Sequence, residues 1–233
     1  MKICLFGITN IPMGNHNIKD PRLDQVDKLV EAQKKCYAQV VLADPKELAL
    51  CDAILTSRAA LSDLLMKDLD FVETRLGRDA VEAEKKVLQK MAEGLVSETP
   101  VSKLGLTPED LAAISAHNFV TNRPVVVADE AELAAPDSLL VRTFAESGYI
   151  CFLTVGGKEN RAWPIRAGTT AWEAAGTVHT DMQKGFIRAE IISFADFTAA
   201  GGETQAKRAG KVRLELKTYV MQDYDVVNFR FNK

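Results

Sequence analysis

Three short apolar runs, ICLF at residues 3–6, QVVLA at 39–43 and PVVVA at 124–128, set the strongest limit on what this chain can fold into. Each is too short for a helix and lacks polar alternation, so each reads as a strand buried on both faces, as in a parallel sheet. Helical patterns lie between them. In DPRLDQVDKLVEAQKK (20–35), Leu23, Val26, Leu29 and Val30 share one face behind an Asp20 cap. Pro21 takes the first helical position, where its missing N–H costs nothing. The strand, helix, strand order predicts an α/β unit.

Residues 58–93 carry a different period. Leu61, Leu65, Leu69, Val72 and Leu76 step by threes and fours to Gly77, and Ala80, Ala83, Val87 and Met91 repeat the step to Gly94. This predicts an αα-hairpin, with Asp79 and Glu82 capping the return helix. Thr107 before Pro108 caps a further helix in LTPEDLAAISAH, another segment opens near Ser138, and from Tyr149 the chain reads as strands around one helix. The expected domains are 1–57 with 95–149, a hairpin insertion at 58–94, and 150–233.

Charge and cysteine usage narrow the function classes. Residues 1–149 hold 17 basic against 23 acidic residues, and residues 150–233 hold 12 against 9, so only the C-terminal part is mildly basic. That balance is compatible with contact to RNA or another acidic partner, without the dense basic stripe of a dedicated nucleic-acid binder. Cys4, Cys36, Cys51 and Cys151 form no C-x-x-C pair, which predicts buried free thiols rather than zinc or a disulfide framework. No run has a signal peptide's apolar region or the length of a membrane span, so a soluble, cytoplasmic protein is expected. His179 and Asp181 have no nucleophile near them, and His16 and His117 stand alone, so neither a catalytic residue nor a metal site is expected.

The C-terminal text is more specific. CFLTVGGKENRAWPIRAGTTAWEAAGTVHTDMQKGFIRAEIISFADF, followed by AGKVRLELKTYVMQDYDVVNFRFN, closely resembles the TGS domain of the YchF/Obg-like ATPases, a branch of the translation-factor-related P-loop proteins. The resemblance implies a ubiquitin-like β-grasp over residues 150–233, with the helix at 171–180 packed on a small mixed sheet. Upstream, DPRLDQVDKLVEAQKK is similar to the segment after the family's first switch. CDAILTS is similar to a core strand, and the hairpin to a shortened coiled-coil insertion. The implied fold class is α/β: a reduced P-loop-like parallel sheet with a helical hairpin, plus the β-grasp.

Against that family pattern the phosphate machinery is incomplete. The strand at 3–6 runs into Gly7 and a polar loop to Gly14, where a phosphate-cradling turn is expected. Six residues separate the two glycines where G-x-x-x-x-G-K-[ST] has four, and Asn15 and His16 stand in place of the lysine and the hydroxyl. Losing the lysine contact alone weakens phosphate binding by about 1.5–3 kcal/mol. The D-x-x-G turn reads Asp44, Pro45, Lys46, Glu47, and the base-reading N-x-x-E keeps only Asp129 and Glu130.

The resemblance therefore implies a non-catalytic binding or regulatory module without a cofactor, associated with the ribosome, RNA or a translation-related protein and with neither DNA nor membrane. The alternative is an ATP- or GTP-binding protein that uses magnesium and a rearranged loop around Gly7, Gly14, Asp44 and Asp129. Arg161, Arg166, Lys184, Arg188, Lys211, Arg213 and Lys217 are the candidate partner surface, since strand alternation can set several of them on one exposed face. Leu216 and Tyr224 replace turn glycines of the family's EGK and DGD, where a positive φ strains a bulky residue.

Overall fold

The computed structural model describes residues 1–78 and 81–232. It divides into two compact units, one built from Met1–His16 and Val40–Leu139, the other from Asn17–Gln39 and the chain from Leu140 onward. The strands are β1 (Lys2–Phe6), β2 (Gly14–Ile18), β3 (Lys34–Cys36), β4 (Ala38–Ala43), β5 (Ala53–Ser57), β6 (Val125–Ala128), β7 (Tyr149–Thr154), β8 (Glu159–Arg166), β9 (Phe186–Ile192), β10 (Arg213–Glu215) and β11 (Val226–Phe231). The helices are α1 (Pro21–Leu29), α2 (Leu61–Leu76), α3 (Glu82–Val96), α4 (Pro108–Ala113), α5 (Glu130–Leu133), α6 (Pro136–Glu146), α7 (Ala171–Val178), α8 (Thr180–Lys184), α9 (Phe194–Ala200) and α10 (Glu203–Arg208).

In the first unit the sheet order is β2-β4-β1-β5-β6. Parallel pairing joins β1 to β4 (Ile3↔Leu42), β1 to β5 (Ile3↔Ala53) and β5 to β6 (Ile54↔Val125). Ile3, Cys4, Leu5, Ile54 and Leu55 are buried, as strands covered on both faces must be. The hairpin helices α2 and α3 form one of the covering layers: Leu61, Leu64, Val72, Val87, Leu88 and Met91 share a single core with Cys4, Ile54 and Val125.

Local details of the hairpin differ from the sequence pattern. Gly94 does not end α3, which continues to Val96. A Cβ at Gly94 would lie 2.2 Å from Leu104 Cδ2, so this glycine gives room for a close contact. The helix closes three residues later, where Thr99 N–H donates to the Gly94 carbonyl and Glu98 takes φ 56°, a left-handed cap made without glycine. The N-cap of α3 is Val81, with no side-chain bond, and the cap read at Asp79 lies outside the described residues. Thr107 caps α4 as expected, its hydroxyl accepting from Asp110 N–H while the Asp110 carboxylate accepts from Thr107 N–H.

Two acids on the hairpin fix what packs against it. Asp68, buried on α2, accepts from Val120 N–H and Thr121 N–H at 2.7 Å each and from the Thr121 hydroxyl at 2.6 Å, holding the turn that leads into β6. Glu84 on α3 accepts from His117 Nε2 at 2.8 Å and from Arg75 Nε and Nη2 at 2.8 Å each. The His117 bond, then the Arg75 bond, lowers the Glu84 carboxyl below its ordinary value of 4.5. A lowered folded value means stability that is present above about pH 4.5 and is lost as the pH falls through the folded value. In thermal melts between pH 6 and pH 3, the fall in midpoint of the native chain is expected to exceed that of Glu84→Gln. Parallel curves would refute the linkage.

The second unit has sheet order β10-β9-β11-β7-β8-β3. β7 and β8 form an antiparallel hairpin, β9 pairs antiparallel with β11, and β11 meets β7 in parallel at Val226↔Leu153. α7 lies across one face, its Ala171, Ala174 and Ala175 packing with Phe152, Ile165, Ile191 and Phe229. Thr170 and Glu173 form a capping box at its start.

Residues 17–39, assigned to the first domain on sequence, belong to this second unit. α1 starts at the Asp20 cap with Pro21 but stops at Leu29 rather than running on to Lys35. The cause is tertiary. Fully buried Asn160 donates through Nδ2 to the Val30 carbonyl and to Asp27, both at 2.8 Å, and the chain then extends as β3 beside β8, with Lys34↔Glu159 and Cys36↔Arg161. All four cysteines are free, three of them buried and Cys36 half-buried.

Outside glycine, positive φ occurs among the described residues at Glu98 and Tyr224. Tyr224, at φ 63°, is buried, with the Arg22 guanidinium 3.7 Å from its ring centroid and Phe194 edge-on at 5.9 Å. The strain expected from its glycine-like position is therefore present. Leu216 is exposed and has no positive φ, so its turn has changed type.

Candidate functional site

The candidate phosphate residues lie at the ends of the parallel strands. Gly7 follows β1, Asp44 follows β4 and Asp129 follows β6, all at the carboxyl edge where open α/β sheets hold ligands. From β4 to β6 is three strand spacings, about 14 Å, so the two carboxylates are set well apart. Each also has local work. Asp44 Oδ1 accepts from Lys46 N–H at 2.8 Å and caps a short 3-10 helix (Pro45–Leu50), and Asp129 forms a capping box with Glu132 at α5.

After Gly7 the chain does not enter a helix. It crosses a loop into β2, whose first residue is Gly14. Gly7 has φ 66°, and a Cβ there would lie 2.2 Å from the Ala60 Cβ and 3.2 Å from Ser57 Oγ. The Ser57 hydroxyl donates to the Gly7 carbonyl at 3.2 Å. The turn after β5 thus packs directly on the glycine.

The seven candidate cations do not share one face. Arg161 and Trp163 stand opposite Thr154 and Phe152, on the side covered by α7. Arg166, five residues on from Arg161, falls on the other side opposite Tyr149, its guanidinium 4.7 Å from that ring centroid. Arg188 stands opposite Arg230, two strands removed from β8. Lys184 ends α8, Lys211 pairs with Asp196 at 3.0 Å, Arg213 donates to the Tyr219 hydroxyl at 3.0 Å, and Lys217 is exposed after β10. His179 is a structural N-cap, its Nδ1 accepting from Asp181 N–H at 3.1 Å.

What the second unit does concentrate is a groove of about 600 Å³ along β3 and β8, lined by Lys34, Lys35, Tyr37, Gln39, Arg161 and Trp163 with several smaller residues. No Asp or Glu is among the lining residues. The Trp163 ring is held from behind by stacking on Phe152 at 6.3 Å and 13°, and its Nε1 donates to Thr154 Oγ1 at 2.9 Å. The Arg161 guanidinium lies 4.8 Å from the Trp163 centroid, with Nε 2.8 Å from Glu159 Oε1. A hydrogen bond to Asp24, outweighing desolvation, raises Lys35 above the ordinary lysine value and keeps it charged. On sequence, Lys34 and Lys35 read as the tail of a helix. The one signal to the contrary is Tyr37, a strand-favouring residue directly ahead of AQVVLA.

Residues 149–232 match the family YchF-GTPase_C, described as a protein of unknown function (DUF933). A ribosome-binding ATPase YchF of Haemophilus influenzae is 32% identical over 73% of this chain and 64% of its own length. By sequence the chain is a relative of the YchF/Obg-like ATPases. It carries the family's TGS (DUF933) region at its C-terminal end. The Escherichia coli O157:H7 ribosome-binding ATPase YchF is 57% identical over 81 residues, 35% of this chain and 22% of its own length. The structure of the Schizosaccharomyces pombe YchF GTPase superposes with a TM-score of 0.75 at 18% identity, covering 99% of this chain and 97% of that one, which supports the YchF fold throughout. The chain spans 64% of the length of the Haemophilus influenzae YchF.

Among the described residues no helix is long and apolar enough to cross a membrane, and no group of three or more His, Cys, Asp or Glu is placed to hold a metal ion.

Proposed function

We propose that this YchF-related chain is a non-hydrolysing binding module of the cytoplasm that associates with the ribosome or its RNA through the C-terminal unit, while the first unit serves as a scaffold. The observation that carries the reading is the path after β1: the loop from Gly7 leads into β2 instead of a helix, and Ala60 fills the space beside Gly7. A phosphate loop works by aiming helix N-terminal amides and a lysine at the phosphates. Here Asn15 and His16 follow Gly14 as strand residues. The ribosomal part of the reading is supported by relatives named ribosome-binding ATPase YchF and by the family match over residues 149–232.

Calorimetric titration of the intact chain with ATP and magnesium is expected to give no binding at micromolar to millimolar concentrations, and sedimentation with ribosomes is expected to carry the chain into the pellet. Saturable, magnesium-dependent ATP binding would overturn the non-hydrolysing half, and absence from the ribosomal pellet the other. Intact chain is required, because cutting at residue 149 would separate β8 from its partner strand β3.

A further inference from the structure

Resting on the reading that the C-terminal unit meets RNA, we infer that the groove beside β3 is a site for single-stranded RNA, with backbone phosphates on Lys34 and Lys35 and a base against the Arg161–Trp163 stack. Charge selects this groove from the others on the unit. Its lining has three cations and no carboxylate. A neighbouring cleft of about 480 Å³ is lined by Glu159, Glu190 and Glu203 with Lys207 as its only cation, and one of about 900 Å³ combines Asp181 with Lys184. Of these three clefts on the second unit, the one beside β3 therefore favours a polyanion.

The groove also has what reading a base requires. Trp163 is fixed in plane by Phe152 and by its bond to Thr154, and the Arg161 guanidinium lies over its ring, 4.8 Å from the centroid, so the guanidinium plane is the outer face offered to a base. Unstacked bases are held on aromatic rings and on guanidinium planes. Asn17 and Gln39 line the same groove, their amides oriented by a 3.1 Å bond from Gln39 Nε2 to Asn17 Oδ1, and Thr177 adds a hydroxyl. Such groups match base edges and the 2′-hydroxyl. A volume of about 600 Å³ lies within the usual range of ligand clefts. Stacking needs a splayed base, so duplex RNA is excluded. Lys34 is exposed and makes none of the ion pairs seen among the described residues, whereas Lys35 is already engaged by Asp24 at 2.7 Å. Lys34 is thus the cation most available to a phosphate.

The test measures fluorescence anisotropy of a labelled oligouridylate of about twelve nucleotides with the intact chain over a range of salt. Lys34→Glu is expected to weaken binding roughly tenfold and to reduce the salt slope by about 0.7 per lost phosphate contact. Arg161→Ala should weaken it to a similar extent, and Lys85→Glu, on the exposed side of α3 in the first unit, should leave it unchanged. In a Trp172→Phe background, leaving Trp163 as the only tryptophan, the oligonucleotide should quench the emission. Unaltered affinity of Lys34→Glu, duplex RNA binding as tightly as the single strand, or unquenched Trp163 would overturn the site. If ribosomes carry the chain down but the oligonucleotide does not bind, the site fails and the ribosomal reading stands. If neither binds, both fail.

Discussion

Replacing Asp68 with alanine is expected to cost the first unit about 3–5 kcal/mol. The carboxylate takes three hydrogen bonds at 2.6–2.7 Å, from two backbone N–H groups and a hydroxyl, at a position 2% exposed. Alanine leaves those donors without a partner where water does not reach, and each buried unsatisfied group costs about 1–3 kcal/mol. The damage spreads along the chain, since Thr121 also accepts from Val101 N–H at 3.1 Å and stands just ahead of β6. Asp68→Asn keeps an acceptor oxygen of the same shape and should cost about half as much. Urea unfolding followed by the helical signal at 222 nm measures both variants. A shift below about 1 kcal/mol for alanine would show that the turn finds other partners.

At Tyr224 two effects oppose each other, and their sizes decide the sign. A left-handed conformation costs a non-glycine residue about 1–2 kcal/mol. Truncating a buried aromatic costs about 3–5 kcal/mol, and a guanidinium over its face adds about 0.5–2 kcal/mol. Tyr224→Gly relieves the strain but loses the ring, so it should destabilise the second unit by about 2–4 kcal/mol. Tyr224→Ala loses the same contacts and keeps the strain, and should fall about 1 kcal/mol below glycine. Tryptophan emission reports on this unit, because both tryptophans belong to it. Glycine equal to or better than tyrosine would mean that the Arg22 and Phe194 contacts do not offset the strain, and an alanine variant matching glycine would mean that the backbone relaxes.

Much of the fold could be read locally. The runs at residues 3–6 and 39–43 appear within β1 and β4; continuous apolar residues suit β1, which is covered on both faces, whereas β4 leaves Gln39 and Val41 exposed. Of the hairpin's three-and-four spacing, Leu61, Leu65, Val72, Val87 and Met91 are buried, whereas Ala83 is exposed and Ala80 lies outside the described residues; the caps at Asp20 and Thr107 depend on atoms within three residues of one another. β2 escaped notice because GNHNI has no apolar alternation, and β3 because Lys34 and Lys35 continue a helical pattern. The candidate cations were legible as residue types. Their distribution over both sides of the sheet follows from register, and a displacement of five along β8 puts Arg161 and Arg166 on opposite sides.

The order of residues by itself determined the alternation of the main strands and helices, the caps at Asp20 and Thr107, and that Asn15 and His16 follow Gly14, since each depends on neighbours a few positions away. The tertiary structure decided where α1 stops, that KKC becomes a strand, that Asp68 pins a turn 52 residues on, and that Lys34 and Arg161 border one groove. Those outcomes depend on hydrogen bonds between segments up to 133 residues apart, such as Asn160 to Asp27. A short polar stretch has no periodicity of its own to announce its conformation, so the partner it meets supplies it.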